Sequence, residues 1–215
     1  MLIVGAKGFA KEVLEILFQK ADLNQICFYD DISTDIPKQL YNEFRVLNKE
    51  QEVIELFRSD NRFTIGVGNP VVRYKMDKKF TTLGGDISST ISPLANIGHY
   101  GNQIGEGNNI MTGATITNDI QIGRGCLINL HCTIGHDTIL GNFVEMSPGV
   151  HISGNCKIGD FCNLGTNSTI LPKVSLGKNV IVGAGAVVTM DFPDNCLVVG
   201  IPATVKRELP PVEAE

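Results

Sequence analysis

Ile134-Gly135-His136-Asp137-Thr138-Ile139-Leu140-Gly141-Asn142-Phe143-Val144-Glu145-Met146-Ser147-Pro148-Gly149-Val150-His151 is one eighteen-residue turn of a longer six-residue period. Counting by sixes down from Ile134 meets Ile128, Ile122, Ile116, Ile110 and Ile104. Counting up meets Leu140, Met146, Ile152, Ile158, Leu164, Ile170, Leu176, Val182 and Val188. All fifteen are apolar, and no insertion breaks the count. Four residues later comes a second set, mostly small or β-branched: Ala114, Cys126, Cys132, Thr138, Val144, Val150, Cys156, Cys162, Ser168, Val174, Val180 and Ala186. Every eighteenth residue is a glycine: Gly105, Gly123, Gly141, Gly159 and Gly177.

Neither the helical period nor strand alternation produces this pattern. One large and one small inward side chain per six residues fit a short strand followed by a corner. Three such units close a triangular coil, with the glycine at a corner that needs φ > 0 or close backbone approach. The expected fold is a parallel β-helix of about five coils sharing one core.

Composition narrows the partners. A net charge of −5 gives no electrostatic reason to bind nucleic acid or an anionic membrane. The N-terminus lacks a basic n-region, and Gly5, Lys7 and Gly8 interrupt its apolar run, so no signal peptide is expected. No stretch approaches the roughly 20 apolar residues of a spanning helix, and a cytoplasmic protein is expected. Cys126, Cys132, Cys156 and Cys162 occupy small inward positions and read as core fillers; a metal or disulfide role is not expected for the six cysteines. Residues 1–85 hold 24 of the 41 charged side chains. The repeat is faced with Asn, Thr and Gly instead, which suits packing on copies of itself.

Residues 1–85 read as a small Rossmann-like α/β unit with a parallel sheet. Its expected order is a strand at 2–4, a turn at 5–8, a helix ending near Lys20 and a strand at 26–29. A loop with Pro37 follows, then a helix over 50–58, a strand at 63–67 and a helix over 71–80. Residues 86–206 form the repeat domain, and residues 207–215 a mobile tail. Ile91 and Ile97 keep the phase, but one residue is inserted before Ile104, in the Gly98-His99-Tyr100-Gly101 corner.

Two places could carry chemistry. Strand, Gly5-Ala6-Lys7-Gly8, then helix presents backbone N–H groups to a phosphate, although the three-glycine dinucleotide fingerprint is incomplete. Asp30 and Asp31 could bond a ribose or base; alternatively, the glycines only permit a turn and the aspartates are solvated. His136 points outward, so it is no core histidine, and Asp137 can hold its tautomer. One coil above it is Gly154, whose amide could face an acyl carbonyl. The bland alternative is a solvated histidine. His151, Lys173 and Lys178 read as surface residues.

The repeat resembles that of the hexapeptide-repeat acyltransferases, which implies a left-handed β-helix. The N-terminal Ile-Val-Gly-Ala-x-Gly unit, with Leu130–Gly159 and the closing Val199-Gly200-Ile201-Pro202-Ala203, resembles the NeuD/PglD-type sugar acyltransferases over nearly the whole chain. The resemblance implies a homotrimer with sites between subunits and acetyl-CoA as co-substrate, with no metal. The acceptor it implies is the amine of a UDP- or dTDP-linked 4-amino-4,6-dideoxy sugar, for surface glycan biosynthesis. His136 is the implied base and Asp137 its orienting acid. Acetyl-CoA is implied at Gly154, Glu145, Thr166, Gly183, Ala184 and Pro202, and the nucleotide sugar at Gly5, Ala6, Lys7, Gly8, Asp30, Asp31, Gly68 and Asn69. The family often has a second histidine in Gly-x-Phe-Val-His, where this chain has Glu145. Three further readings stay open: a sialic acid O-acetyltransferase, a zinc protein similar to γ-class carbonic anhydrases through His99, His131 and His136, and a non-catalytic scaffold.

Overall fold

The computed structural model describes residues 1–22 and 25–212. The N-terminal unit runs β1 (Leu2–Val4), α1 (Gly8–Gln19), β2 (Cys27–Tyr29), β3 (Gln39–Leu40), β4 (Phe44–Leu47), α2 (Glu50–Phe57), β5 (Arg62–Ile65), α3 (Pro70–Thr82) and β6 (Asp86–Ile87). The sheet order is β3-β4-β2-β1-β5-β6, parallel throughout except at β3–β4. Ile3 packs toward Ala10, Val13 and Leu17 of α1, while Leu2 and Val4 pack toward Val53 of α2 and Phe80 of α3. Burial on both faces explains the continuous apolar run of β1.

The expected loop around Pro37 is in part a hairpin. Tyr41 and Asn42 both have positive φ, +54° and +56°, the geometry of a tight two-residue turn. A two-residue β3 and a turn without glycine leave little periodic signal. Asp86–Ile87 pairs with β5, so the sheet ends at Ile87 and the repeat opens at Thr90.

The repeat is a triangular prism of short parallel strands. Face I climbs from Thr90–Ile91 through Asn109–Ile110, Leu127–Ile128, Glu145–Met146 and Asn163–Leu164 to Ile181–Val182. Face II climbs from Asn96–Ile97 to Val187–Val188, and face III from Gln103–Ile104 to Ser175–Leu176. Above the inserted residue successive strands of a face pair eighteen residues on, as Thr133 with His151, whereas Thr90 and Asn96 below it pair nineteen residues on with Asn109 and Thr115. Fourteen of the fifteen counted apolar residues are buried in one cluster; Ile104, at the lower end, is partly buried. The four inward cysteines are fully buried, and their Sγ atoms approach carbonyls of the next coil, as Cys126 to Gly141 at 3.1 Å and Cys162 to Gly177 at 3.1 Å. Burial pushes the thiols of Cys126 and Cys132 up to about 11.

The left-handed corners are not at the eighteen-residue glycines. All fifteen residues at six-residue steps from Gly101 to Gly185 have φ between +54° and +75°, nine of them non-glycine, Asp137 included. Gly123 and Gly159 answer to close approach instead: a Cβ there would lie 2.6 Å from the backbone of the glycine one coil up.

Cys196–Gly200 and Ala203–Glu208 form a hairpin that continues face I. The tail beyond it is held, not loose, as far as Pro210. The Leu209 N–H donates to the Asn195 carbonyl at 2.7 Å, and the Pro210 carbonyl accepts from Asn179 at 3.0 Å. Residues 213–215 of the expected tail lie outside the described residues.

The α/β unit sits on the lower part of face I and on the III–I corner. Tyr74 of α3 meets the stacked rings of Phe143 and Phe161 edge-on at 5.4 and 5.6 Å. Arg124 pairs with Asp77 at 2.8 Å, and Ile16 packs on Met111 and Leu127. Among the described residues no helix is long and apolar enough to cross a membrane.

Candidate active site

The II–III corner carries His136. Strand Thr133–Ile134 ends there, and Asp137 takes the left-handed conformation, which an aspartate tolerates better than most residues. That turn leaves the imidazole 65 % exposed and brings the Asp137 carboxylate to 2.7 Å from Nδ1. A carboxylate at Nδ1 favours the proton there, so Nε2 is the free base nitrogen. The His136 carbonyl accepts from the Asn155 N–H at 2.8 Å and anchors the corner.

Gly154 lies against the ring. A Cβ at this position would stand 2.7 Å from Nε2 and 2.8 Å from Cε1, so any side chain would crowd the base nitrogen. The φ of Gly154 is not in the left-handed region, so access, not backbone conformation, is what the glycine supplies. Among the described residues nothing accepts from its N–H, which leaves that donor for a ligand.

Apart from Gly154, the implied acetyl-CoA residues do not gather at this edge within one chain. Thr166, Gly183 and Ala184 lie at the I–II corner, where the Thr166 carbonyl accepts from Gly185. Pro202 lies in the closing hairpin. Glu145 projects from face I under the α/β unit: a Cβ at Gly68 would lie 3.1 Å from its Oε1, and Asn163 donates to Oε2 at 2.9 Å. Burial raises its pKa, partly offset by the charge of Arg73.

The implied nucleotide-sugar residues divide as well. Gly5, Asp30, Asp31 and Ser33 line a cleft of about 190 Å³ with Val67, Val72 and Met76. Gly5 has φ +107°, and a Cβ on it would press the Gly66 carbonyl at 2.9 Å. Lys7 precedes α1 without capping it and pairs with Asp35 at 3.0 Å, Ala6 is buried, and the space beside Gly8 is open. Neither aspartate is bare. Asp30 accepts from the N–H groups of Ile32 and Ser33 and from the Ser33 hydroxyl. Asp31 accepts from Lys79 and from the Tyr29 hydroxyl, both at 2.9 Å. Burial alone would raise Asp31, but those two donors outweigh it and hold its pKa below the usual carboxylate value. Asn69 caps α3, accepting from the Val72 N–H at 3.1 Å, and Gly68 belongs to the joint with Glu145.

Sequence reasoning missed Lys79, which joins Asp31 to Glu50 at 2.9 and 3.1 Å, and Arg73, treated below. Neither stands in a motif. Among the described residues no group of three His, Cys, Asp and Glu side chains could hold a metal ion. Within the chain, His131 stands on the I–II corner and His136 on the II–III corner.

Comparison with known proteins adds relatives of defined activity. The model of the PglD N-terminal domain matches residues 1–80, and that of the bacterial transferase hexapeptide (six repeats) matches residues 155–189. A solved histidine-to-asparagine variant of perosamine N-acetyltransferase from Caulobacter crescentus, in complex with CoA and GDP-perosamine, superposes with a TM-score of 0.88. It is 27% identical, with 96% of each chain covered. The acetyltransferase domain of PglB from Neisseria gonorrhoeae, solved with acetyl coenzyme A, is 30% identical with a TM-score of 0.86, over 95% of this chain and 97% of that one. GDP-perosamine N-acetyltransferase of Escherichia coli O157:H7 is 27% identical over 92% of this chain and 81% of its own length. The chain spans only about half of a galactoside O-acetyltransferase from Lactococcus lactis, which is 30% identical over 111 residues.

Proposed function

The chain belongs to the NeuD/PglD-type sugar acetyltransferases, and from that premise we propose that it moves an acetyl group from acetyl-CoA to the amine of a nucleotide-linked 4-amino-4,6-dideoxy sugar. The observation that carries this is the His136 corner: Nδ1 held by Asp137 at 2.7 Å, with Nε2 open beneath a glycine. The amine nitrogen attacks the thioester carbonyl as His136 Nε2 takes its proton. The Gly154 N–H donates to the oxyanion, and Asp137 stabilises the imidazolium. Collapse breaks the C–S bond, and the imidazolium proton passes to the departing thiolate.

Acetyl-CoA would then run along residues from two edges of the prism. His136 on one and Thr166 and Ala184 on another meet only if a neighbouring copy contributes, which supports a homotrimer with shared sites. Ile139, 39% exposed on face III beside the His136 corner, is suited to that contact. The α/β cleft, with Gly5, Asp30 and Asp31, would take the nucleotide. UDP and dTDP are the expected carriers, and the two perosamine enzymes add GDP to those worth testing. Such substrates place the enzyme in the cytoplasm. The galactoside O-acetyltransferase relative supports a second reading, a hydroxyl acceptor such as sialic acid served by the same base.

The test is thiol release from acetyl-CoA with UDP-, dTDP- and GDP-linked 4-amino sugars, and with sialic acid. Turnover on one amino sugar is expected. Release with sialic acid alone would replace N- by O-acetylation, and silence on every acceptor would contradict both readings.

A further inference from the structure

Arg73, in the first turn of α3, is completely buried, yet among the described residues its guanidinium bonds no carboxylate. Nη1 donates to the carbonyls of Ile65 and Val67 at 3.1 and 2.8 Å, on the α/β side. Nε donates to the Gly125 carbonyl at 2.8 Å, and Nη2 to Asn109 Oδ1 at 2.8 Å and the Cys126 carbonyl at 3.3 Å, on the prism side. The Asn109 amide in turn donates to Thr64 of β5 at 3.1 Å and to Thr90. Burial lowers the pKa of Arg73 to about 10, so it remains a cation at neutral pH.

A buried cation held by carbonyls is a costly way to join two domains. Adhesion is already supplied by Tyr74 on Phe143 and Phe161 and by Ile16 on Met111 and Leu127. What those apolar contacts lack is direction. A guanidinium has five donors in a rigid plane, and here they point at fixed carbonyls of both units. The two α/β acceptors flank Gly66, whose carbonyl abuts Gly5, and Val67 itself lines the nucleotide cleft. The prism acceptors Gly125 and Cys126 belong to the corner on which α3 lies.

We infer that Arg73 is a positioning residue, which fixes the orientation of the nucleotide cleft on the prism and so the place where a tethered amine arrives. The inference rests on the nucleotide-sugar reading. A misplacement of about 1 Å at a reacting centre costs roughly a hundredfold in rate, so a small rotation at this joint is enough.

The test compares wild type with Arg73→Met and Arg73→Lys, using the nucleotide sugar that the wild type acetylates. Its dissociation constant by calorimetry is read beside kcat and the melting temperature. Arg73→Met is expected to lower kcat about a hundredfold, with the dissociation constant within about twofold. Arg73→Lys, which keeps the charge but loses the fork, is expected to recover only part of kcat. Should Arg73→Met not fold, Asn109→Ala removes one prism-side acceptor and is expected to lower kcat about tenfold at unchanged affinity. Unchanged kcat in the folded variants would overturn the inference, as would loss of affinity in step with kcat, or full recovery by lysine. Failure of the functional reading would appear separately, as wild-type enzyme that turns over no nucleotide sugar.

Discussion

The prism and the α/β unit solve the same problem, placing a ligand group, by opposite means. In the regular coils of the prism a residue's stacked neighbour lies eighteen positions away, so the chemistry of one corner is written in a column: His136 below, Gly154 above. In the α/β unit the cleft is assembled from four separate segments around Gly5, Asp30, Val67 and Val72, and its Asp31 is tied into a network around Lys79. Changes in the column should therefore alter chemistry, and changes in the network should alter binding.

Gly154→Ala is the sharpest break of that division. Its methyl group would meet Nε2, so kcat is expected to fall about a hundredfold, while the melting temperature and nucleotide affinity stay close to wild type. Steady-state kinetics beside a thermal melt would check it, and an unchanged kcat would remove the column from the mechanism. Lys79→Met should act the other way. It frees Asp31 and Tyr29, and KM for the nucleotide sugar is expected to rise about tenfold, roughly 1.4 kcal/mol, with kcat nearly constant. A fall in kcat at constant KM would show that the cleft, too, takes part in the chemical step.

Glu145→Gln probes the boundary between the two. Burial raises the Glu145 pKa, so the folded state holds its proton more tightly than the unfolded chain. The glutamate therefore destabilises the fold as pH rises above the ordinary carboxylate value, and not below it. The glutamine keeps an acceptor for Asn163 and carries no charge. Its melting temperature is expected to exceed that of wild type by a few degrees at pH 8, about 1 kcal/mol, and to match it near pH 4. A variant less stable at pH 8 would show that the carboxylate has a partner that its burial conceals.

The same contrast explains what could be read from sequence. The prism was legible because fifteen repeats leave few alternatives, and because adjacency of His136 and Asp137 in sequence is adjacency in space. The glycine column was legible as a corner signal, but its cause is close approach and not positive φ, which falls on a different sixfold set. The β3–β4 hairpin was not legible, since β3 has only two residues and the Tyr41-Asn42 turn has no glycine to mark it. Arg73 looked like any helical arginine, because its carbonyl acceptors lie 34 to 53 residues away in the prism. The period also hides which corner a residue occupies relative to a second copy, so Thr166 and Ala184 were named without their separation from His136.

The central claim is that the His136 corner performs the acyl transfer. Thiol release by His136→Ala should be measured with the nucleotide sugar that the wild type accepts, alongside sedimentation to report assembly. Loss of about 10²- to 10⁴-fold in kcat, with assembly and nucleotide affinity unchanged, is the predicted result. Wild-type turnover in that variant would contradict the account.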